Sequence, residues 1–532
     1  MQNRTADFAS DIAAFFAAIL LLSLAAIWNG QPFFYPDTPT YVRGAEMGLL
    51  KVFGPERIKP WITDAPVLGS GAEPSQDFET VPENNVRQHK PLTSINDKIV
   101  LAGRSVYYGL LLYAGYASGG MWLTVLAQAL IATYVLHLVL VRLWGLRRQV
   151  FIVVTALLAV LTPLGVYTGF LMPDIFAPLS ILTFGILAVH WSRLSRLDRW
   201  LLGSVLLFGM VAHASHVAII AFMLLVAVLL RWIFRRWHQL SRTGLLVVFA
   251  CVCAAVAAEW VFAKAVTVAI GAPPLRLPHP MARLIDLGPG TDFLKKNCPQ
   301  SSYSACEFVR NYPTKWDDFL FSTDPQKGAF ALADAGMKRR LSAEQVPFVL
   351  DVLRHDPKGV LLGVSKDIVH QLFNFRVDLW SYGEEGIGKF YSGRVPDSIY
   401  AGLLQSRASK PSFMNDVQNI TTYGAFAASL IVLSILLVLK KRRAQSQTPD
   451  FSASNLAFNN FCWLVIAGVV VNAIICATLA SSMDRFQARV VWLVPLMVWG
   501  MYKFHILNIE ITNKIPLADE KIRLTPISAS AS

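Results

Sequence analysis

Residues 12–28 read IAAFFAAILLLSLAAIW, and residues 33–46, close behind them, read FFYPDTPTYVRGAE. A helix that crosses a bilayer needs about 20 apolar residues, and the first run, free of charge, predicts a span over roughly 12–29. The second stretch sets a carboxylate, Asp37, between prolines and beside Tyr35, Tyr41 and Arg43. The chain therefore leaves the membrane directly into residues suited to binding and proton transfer.

The apolar pattern recurs along all 532 residues. The chain is 54% hydrophobic and only 16% charged, with a mean hydropathy of +0.46. Those values exclude a soluble globular protein and predict an all-α polytopic membrane protein. The net charge of +13 comes from Lys and Arg beside apolar segments, where cytoplasmic loops hold them, so it marks topology and membrane-lipid contact and not nucleic acid. At the N-terminus Arg4 is outnumbered by Asp7 and Asp11, which predicts a retained first helix and no secretory signal.

The positive-inside rule orders the remaining spans. A span at about 119–141 runs into VRLWGLRRQ (141–149), a cytoplasmic flank. The long outer loop before it ends in AGRSVYYGLLLYAGYASGG (102–120), which reads as an interfacial helix, since a span here would throw the basic flank outside. Spans at about 150–167 and 175–191 meet at GFLMPD (169–174), which puts Asp174 on the same face as Asp37. Residues 200–237 have basic residues at both ends and His213 and His216 in the middle; two short spans meeting at the histidines satisfy the charge rule. Further spans follow at about 245–263, 422–439, 460–479 and 489–504.

The expectation is about 10 spans in a bacterial inner membrane, with both termini cytoplasmic. Residues 1–263 form an N-terminal membrane module that includes the outer loop 30–118. Residues 264–420 form a mainly helical extracytoplasmic domain, 421–507 a C-terminal membrane module, and 508–532 a polar cytoplasmic tail.

Within 264–420, Asp324–Pro325 and Asp356–Pro357 each predict an N-cap with proline at the first helical position, and SAEQ (342–345) predicts a capping box. Cys251, Cys253, Cys462 and Cys476 lie in apolar runs, where thiols act as small hydrophobes. Cys298 and Cys306 sit in the polar outer segment and predict a disulfide, hence an oxidising compartment. No cysteine spacing makes a zinc or iron–sulfur pattern.

Four features fall on one side of the membrane: Asp37, Asp174, the His213/His216 pair, and Asp484 with Arg485 and Arg489. Each has a structural reading. Asp37 suits a turn, Asp174 an N-cap, the histidines a cap or a carbonyl bond, and the arginines snorkelling anchors. Each also has a chemical one. An exposed carboxylate can take a proton, histidines at i and i+3 share a face that suits a metal, and arginines at i and i+4 suit a phosphate. Ionisable groups at the membrane edge are costly, and their convergence points to function.

The first span followed at once by PDTPTY (36–41), together with MPD (172–174) and MDRFQAR (483–489), resembles the GT-C superfamily of membrane glycosyltransferases, distantly similar to its dolichyl-phosphate-mannose mannosyltransferase and aminoarabinose transferase group. The resemblance implies a GT-C-like fold and a sugar donor carried on polyprenyl phosphate. It differs from familiar members in lacking an Asp-Glu or Asp-Asp pair in the first loop and in placing its outer domain before the last three spans.

On that reading Asp37 is the base that activates an acceptor hydroxyl. Arg104, Arg485 and Arg489 stabilise the departing polyprenyl phosphate, with Tyr41, Arg43 and Asp484 among the substrate-binding groups. Asp174 and the histidines would orient the acceptor or a divalent cation, the one cofactor left open. Inversion in a single displacement is expected, with an envelope glycan, lipid or protein as acceptor. The absence of a GxGxxG or a P-loop fits a lipid-linked donor. The competing expectations are an O-antigen-type ligase or polymerase, marked by an arginine and histidine in the large loop, and a flippase or transporter, marked by repeats and mid-membrane charges. The aromatic stretch 373–391 predicts packing of the outer domain onto the membrane, with sugar stacking as the alternative.

Overall fold

A computed structural model describes residues 2–62, 97–298, 300–379, 382–446 and 453–506. Residues 63–96 of the first outer loop and the C-terminal tail lie outside the described residues. Every regular element among those described is helical.

Helix α1 (Gln2–Asn29) is the first span and ends on Gly30, whose φ of +83° turns the chain where a side chain would be strained. The loop then reaches α2 (Thr38–Phe53), which packs on α3 (Val106–Ser118), the segment read as interfacial. Gly109 of α3 lies so close to the Tyr41 carbonyl that a Cβ would collide with it, which lets the two helices touch along their backbones. Helix α4 (Trp122–His137) extends through a wider turn to Leu143.

The predicted span 150–167 is interrupted. Helix α5 (Arg148–Leu161) stops at Thr162, whose backbone is extended (φ −131°, ψ 166°), and only a short α6 (Leu164–Thr168) follows Pro163. Proline removes a helix donor and drives the preceding residue out of the α region. The chain then forms α7 (Phe176–His190), buried on all sides, α8 (Arg196–Ala212) and α9 (Ala214–Ile233). The last two meet at His213, in extended conformation (φ −158°, ψ 132°). The long α10 (Arg242–Ile270) follows.

Residues 277–360 build a second core. It holds α11 (His279–Leu287), α12 (Pro289–Asn297), α13 (Trp316–Phe321), α14 (Ala335–His355) and α15 (Pro357–Phe373) around Met281, Ile285, Phe319, Phe330 and Phe348. Cys298 and Cys306 are joined by a disulfide.

Of the helix signals here, one holds: Asp356 caps α15 by accepting from the Gly359 N–H at 2.8 Å. Two differ. Helix α14 starts at Asp334, which accepts from the Met337 N–H at 2.8 Å, so SAEQ lies inside a helix already begun. Asp324 heads a turn, its side chain accepting from the Gln326 N–H and its carbonyl from the Gly328 N–H.

Helices α16 (Gly383–Tyr391) and α17 (Asp397–Gln405) do not belong to that second core. Phe375, Val377, Leu379, Tyr391 and Leu403 join the core of the membrane bundle. Phe375 stacks on Tyr423, 4.1 Å between ring centroids, so these aromatics pack the segment onto the spans, as the sequence predicts. The chain ends with α18 (Met414–Ser446), α19 (Ala453–Leu479), α20 (Asp484–Val491) and α21 (Leu493–Ile506).

Among the described residues, 7 helices are long and apolar enough to cross a membrane, and the protein is membrane-embedded. The other segments read as spans are α5, α8 and the α20–α21 pair, each shorter. Basic flanks cluster at one end of the bundle, where Arg142 pairs with Asp198 at 2.6 Å and Arg148 with Asp11. The candidate chemistry gathers at the other end.

Candidate functional site

Two short backbone pairings place the acidic and basic groups. Phe33 pairs with Phe170 in parallel: the Phe33 N–H donates to the Gly169 carbonyl at 2.9 Å and the Leu171 N–H to the Phe33 carbonyl at 2.9 Å. Asp37 and Asp174 each follow that pairing by the same number of residues. The Thr38 hydroxyl donates to the Leu171 carbonyl at 3.0 Å and fixes the register. A second pairing, Leu101 with Leu275, does the same for Arg104 and His279. Segments distant in sequence thus deliver four chemically capable side chains to one end of the bundle.

Neither carboxylate serves the local backbone. Asp37 occupies the N-cap position of α2 without making a cap bond; its Oδ1 instead accepts from Arg104 Nη2 at 2.5 Å. Asp174 likewise makes no cap bond. It lies 3.4 Å from Arg489 Nη1 and 3.6 Å from Arg485 Nε. Two guanidiniums share this one buried carboxylate.

The arginine loop is held by amide clamps. Gln371 of α15 donates to the Met483 carbonyl at 2.7 Å and accepts from the Met483 N–H at 2.8 Å. Asn472 of α19 donates to the Phe486 carbonyl at 2.7 Å and accepts from Arg489 Nη2 at 3.1 Å. Tyr167 donates to the Arg485 carbonyl at 3.1 Å. The Arg485 guanidinium rests 4.2 Å from the centroid of the Tyr35 ring, a cation–π contact.

Donor capacity is left over. Arg104 Nε, Arg485 Nε and Nη1, and Arg489 Nε are buried without a hydrogen-bond partner. Unpaired buried donors are expensive.

Electrostatics tie the group together. Burial works against the Arg104 charge, but Asp37 and Tyr41 together outweigh it and raise the guanidinium above its usual range. Burial raises the Tyr35 phenol, against the pull of Arg485. Burial lowers Arg394, whose Nη2 donates to the Pro36 carbonyl at 3.3 Å and the Thr40 hydroxyl at 3.4 Å.

The structure brings together Asp37, Tyr41, Arg104, Asp174, Arg485 and Arg489. It does not bring Arg43 there: Arg43 pairs with Glu46 on α2 at 2.6 Å, and Glu46 also accepts from the Trp61 N–H. Arg43 therefore braces the first loop, as i,i+3 geometry favours. Asp484 begins α20 at the rim, half-buried.

His213 caps α9, its Nδ1 facing the Ser215 N–H and hydroxyl at 3.2 and 2.8 Å. His216 Nδ1 bonds the Gly209 carbonyl at 2.7 Å. Among the described residues no three His, Cys, Asp or Glu side chains form a ligand set, and a charged neighbour of this pair is the cation Arg489 through Ser215. The histidines are thus arranged as helix supports.

Sequence reading missed Arg394, Gln371 and Asn472. Arg394 sits far from the first loop in sequence and shows no motif. The two amides look like ordinary helix residues until their partners are seen.

Two open clefts of about 460 and 530 Å³ mark the surface. The first borders the cluster through Tyr382; the second lies on the second core, at Tyr303 and Asp351. No family model matches the sequence, and neither a curated protein nor a solved structure matches it.

Proposed function

We propose that the protein is an integral membrane glycosyltransferase of GT-C type, moving a sugar from a polyprenyl-phosphate donor to an envelope glycan, lipid or protein. The observation that carries this reading is the sharing of Asp174 by Arg485 and Arg489, with guanidinium nitrogens of both left unpartnered. A phosphate arriving at the membrane edge would supply the missing acceptors and the missing negative charge.

In this scheme Arg104 holds Asp37 in a defined orientation. Asp37 accepts the proton of the acceptor hydroxyl as that oxygen bonds to the anomeric carbon. The bond from the anomeric carbon to the phosphate oxygen breaks, and the charge developing there falls to Arg485 and Arg489. One displacement inverts the anomeric centre. Asp174 keeps the two arginines aimed, and Tyr35 supports Arg485 from below. The ten-span layout, with α5, α8 and the α20–α21 pair as further crossings, belongs to this proposal. So do both termini on the cytoplasmic face of a bacterial inner membrane and a site facing the periplasm.

The test is the glycan profile of a deletion strain complemented with wild type, Asp37→Asn or Arg485→Ala at matched membrane levels. Loss of one sugar that neither variant restores supports the transferase. Full restoration by Asp37→Asn removes the base assignment. A deletion that accumulates unchanged lipid-linked sugar on the inner leaflet points instead to a flippase.

A further inference from the structure

Helix α15 turns several large apolar side chains outward. Val360 and Gln371 are buried, with Val364 and Ile368 partly so, whereas Leu361, Leu362, Val369 and Phe373 are 68, 72, 57 and 55% exposed. Leu362, Val369 and Phe373, at i, i+7 and i+11, share one side of the helix with Leu361 at its edge, and Lys358 and Lys366 lie exposed along the same side. A stripe of four large apolar side chains on a helix outside the spans implies a partner.

Continuity identifies that partner. At the C-terminal end of α15 the Tyr423 hydroxyl donates to the Phe373 carbonyl at 3.2 Å, and the Phe375 N–H donates back to the Tyr423 oxygen at 3.0 Å. Tyr423 belongs to α18, whose segment Met414–Leu439 is apolar enough to cross the membrane. Beside it Phe413 and Ile420 are 71 and 72% exposed. The stripe therefore runs on from the lipid-facing surface of a span. A partly inserted helix with lysines along it suits the boundary between acyl chains and anionic headgroups.

We propose that α15 lies in the membrane interface and seats the arginine loop upon the bilayer. The same helix end that meets α18 clamps Met483 through Gln371 and meets Ser482 through His370 Nδ1 at 2.7 Å. Lipid contact along the stripe thereby fixes the height of Arg485 and Arg489 above the membrane. This seating is independent of the sugar-transfer reading.

The experiment uses the full chain, with its four free cysteines replaced by alanine, carrying an NBD fluorophore at Leu362→Cys, Val369→Cys or, for comparison, Lys327→Cys. The protein is reconstituted in phosphatidylethanolamine–phosphatidylglycerol vesicles, with and without dibrominated phosphatidylcholine. Expected is blue-shifted emission at 362 and 369, lost on adding brominated lipid, and solvent-like emission at 327 that only aqueous iodide quenches. Iodide quenching at 362 and 369 equal to that at 327 overturns the proposal. Blue-shifted emission insensitive to both quenchers also overturns it, because a protein surface then covers the stripe. Should the alanine background fold poorly, hydrogen exchange of α15 in unmodified protein decides the matter. Protection greater in vesicles than in detergent supports the seat, and equal protection refutes it.

Discussion

Asp37 and Asp174 each invited a local explanation, and neither side chain takes it. A carboxylate at a helix start ordinarily accepts backbone N–H bonds; these two face guanidiniums from distant segments. Replacing Asp37 with Asn keeps an acceptor for Arg104 and removes the base. Sugar transfer in isolated membranes should fall by about 10²–10⁴-fold at unchanged protein level. Asp174→Ala should act on the fold, because it strands two cations: a loss of about 3–5 kcal/mol is expected for a broken buried pair, read as a lower melting temperature in detergent. His279 gives a pH test. Burial, with Arg104 adding to it, lowers its imidazole to about 4, while an unfolded histidine titrates near roughly 6.5. The unfolded state therefore binds the extra proton first, and stability should be full above that value and fall between about pH 6.5 and 4. His279→Gln should flatten the fall in thermal melts across that window.

At the level of elements, the site depends on clamps more than on helix propensity. The segment 481–483 has no regular structure, yet it carries the chain into the arginine helix. Among the described residues, α15 holds it through the pair of Gln371 bonds together with the His370 contact. Gln371→Ala leaves the Met483 N–H without its partner and its carbonyl with the Phe486 N–H alone, at about 1–3 kcal/mol. Hydrogen exchange over 481–488 should speed up accordingly, while α19 stays protected. Close helix approach matters equally in the bundle. Gly244 of α10 sits against the Leu187 carbonyl, leaving no room for a Cβ, so the crossing with α7 depends on a missing side chain.

For the whole molecule the disulfide is the most direct indicator of compartment. Cys298 and Cys306 should resist thiol labelling in intact membranes until reductant is added, and both should then react. Labelling without reductant would place the second core in a reducing compartment and reverse the orientation proposed for every span. The arrangement also explains why the second core lies beside the site. Its first helix brings His279 close to Arg104 through the Leu101–Leu275 pairing, and its last helix holds the arginine loop, so both ends of that core bear on one cluster.

The sequence by itself determined the membrane class, the helical content, the break at His213, the cap at Asp356 and the pairing of Cys298 with Cys306. Those features follow from local quantities: runs of apolar residues, basic flanks, and residues whose side chains act on near neighbours. It also named most of the cluster, since a charge beside a span stands out against an apolar background. The tertiary structure alone decided which charges meet. Arg43, close to Asp37 in sequence, turned to Glu46, while Arg104 met Asp37 from the far end of the same loop, and Arg394 and Arg485 reached it from far along the chain. Ion pairing depends on distance in space, and two backbone pairings of a few residues each set that distance here.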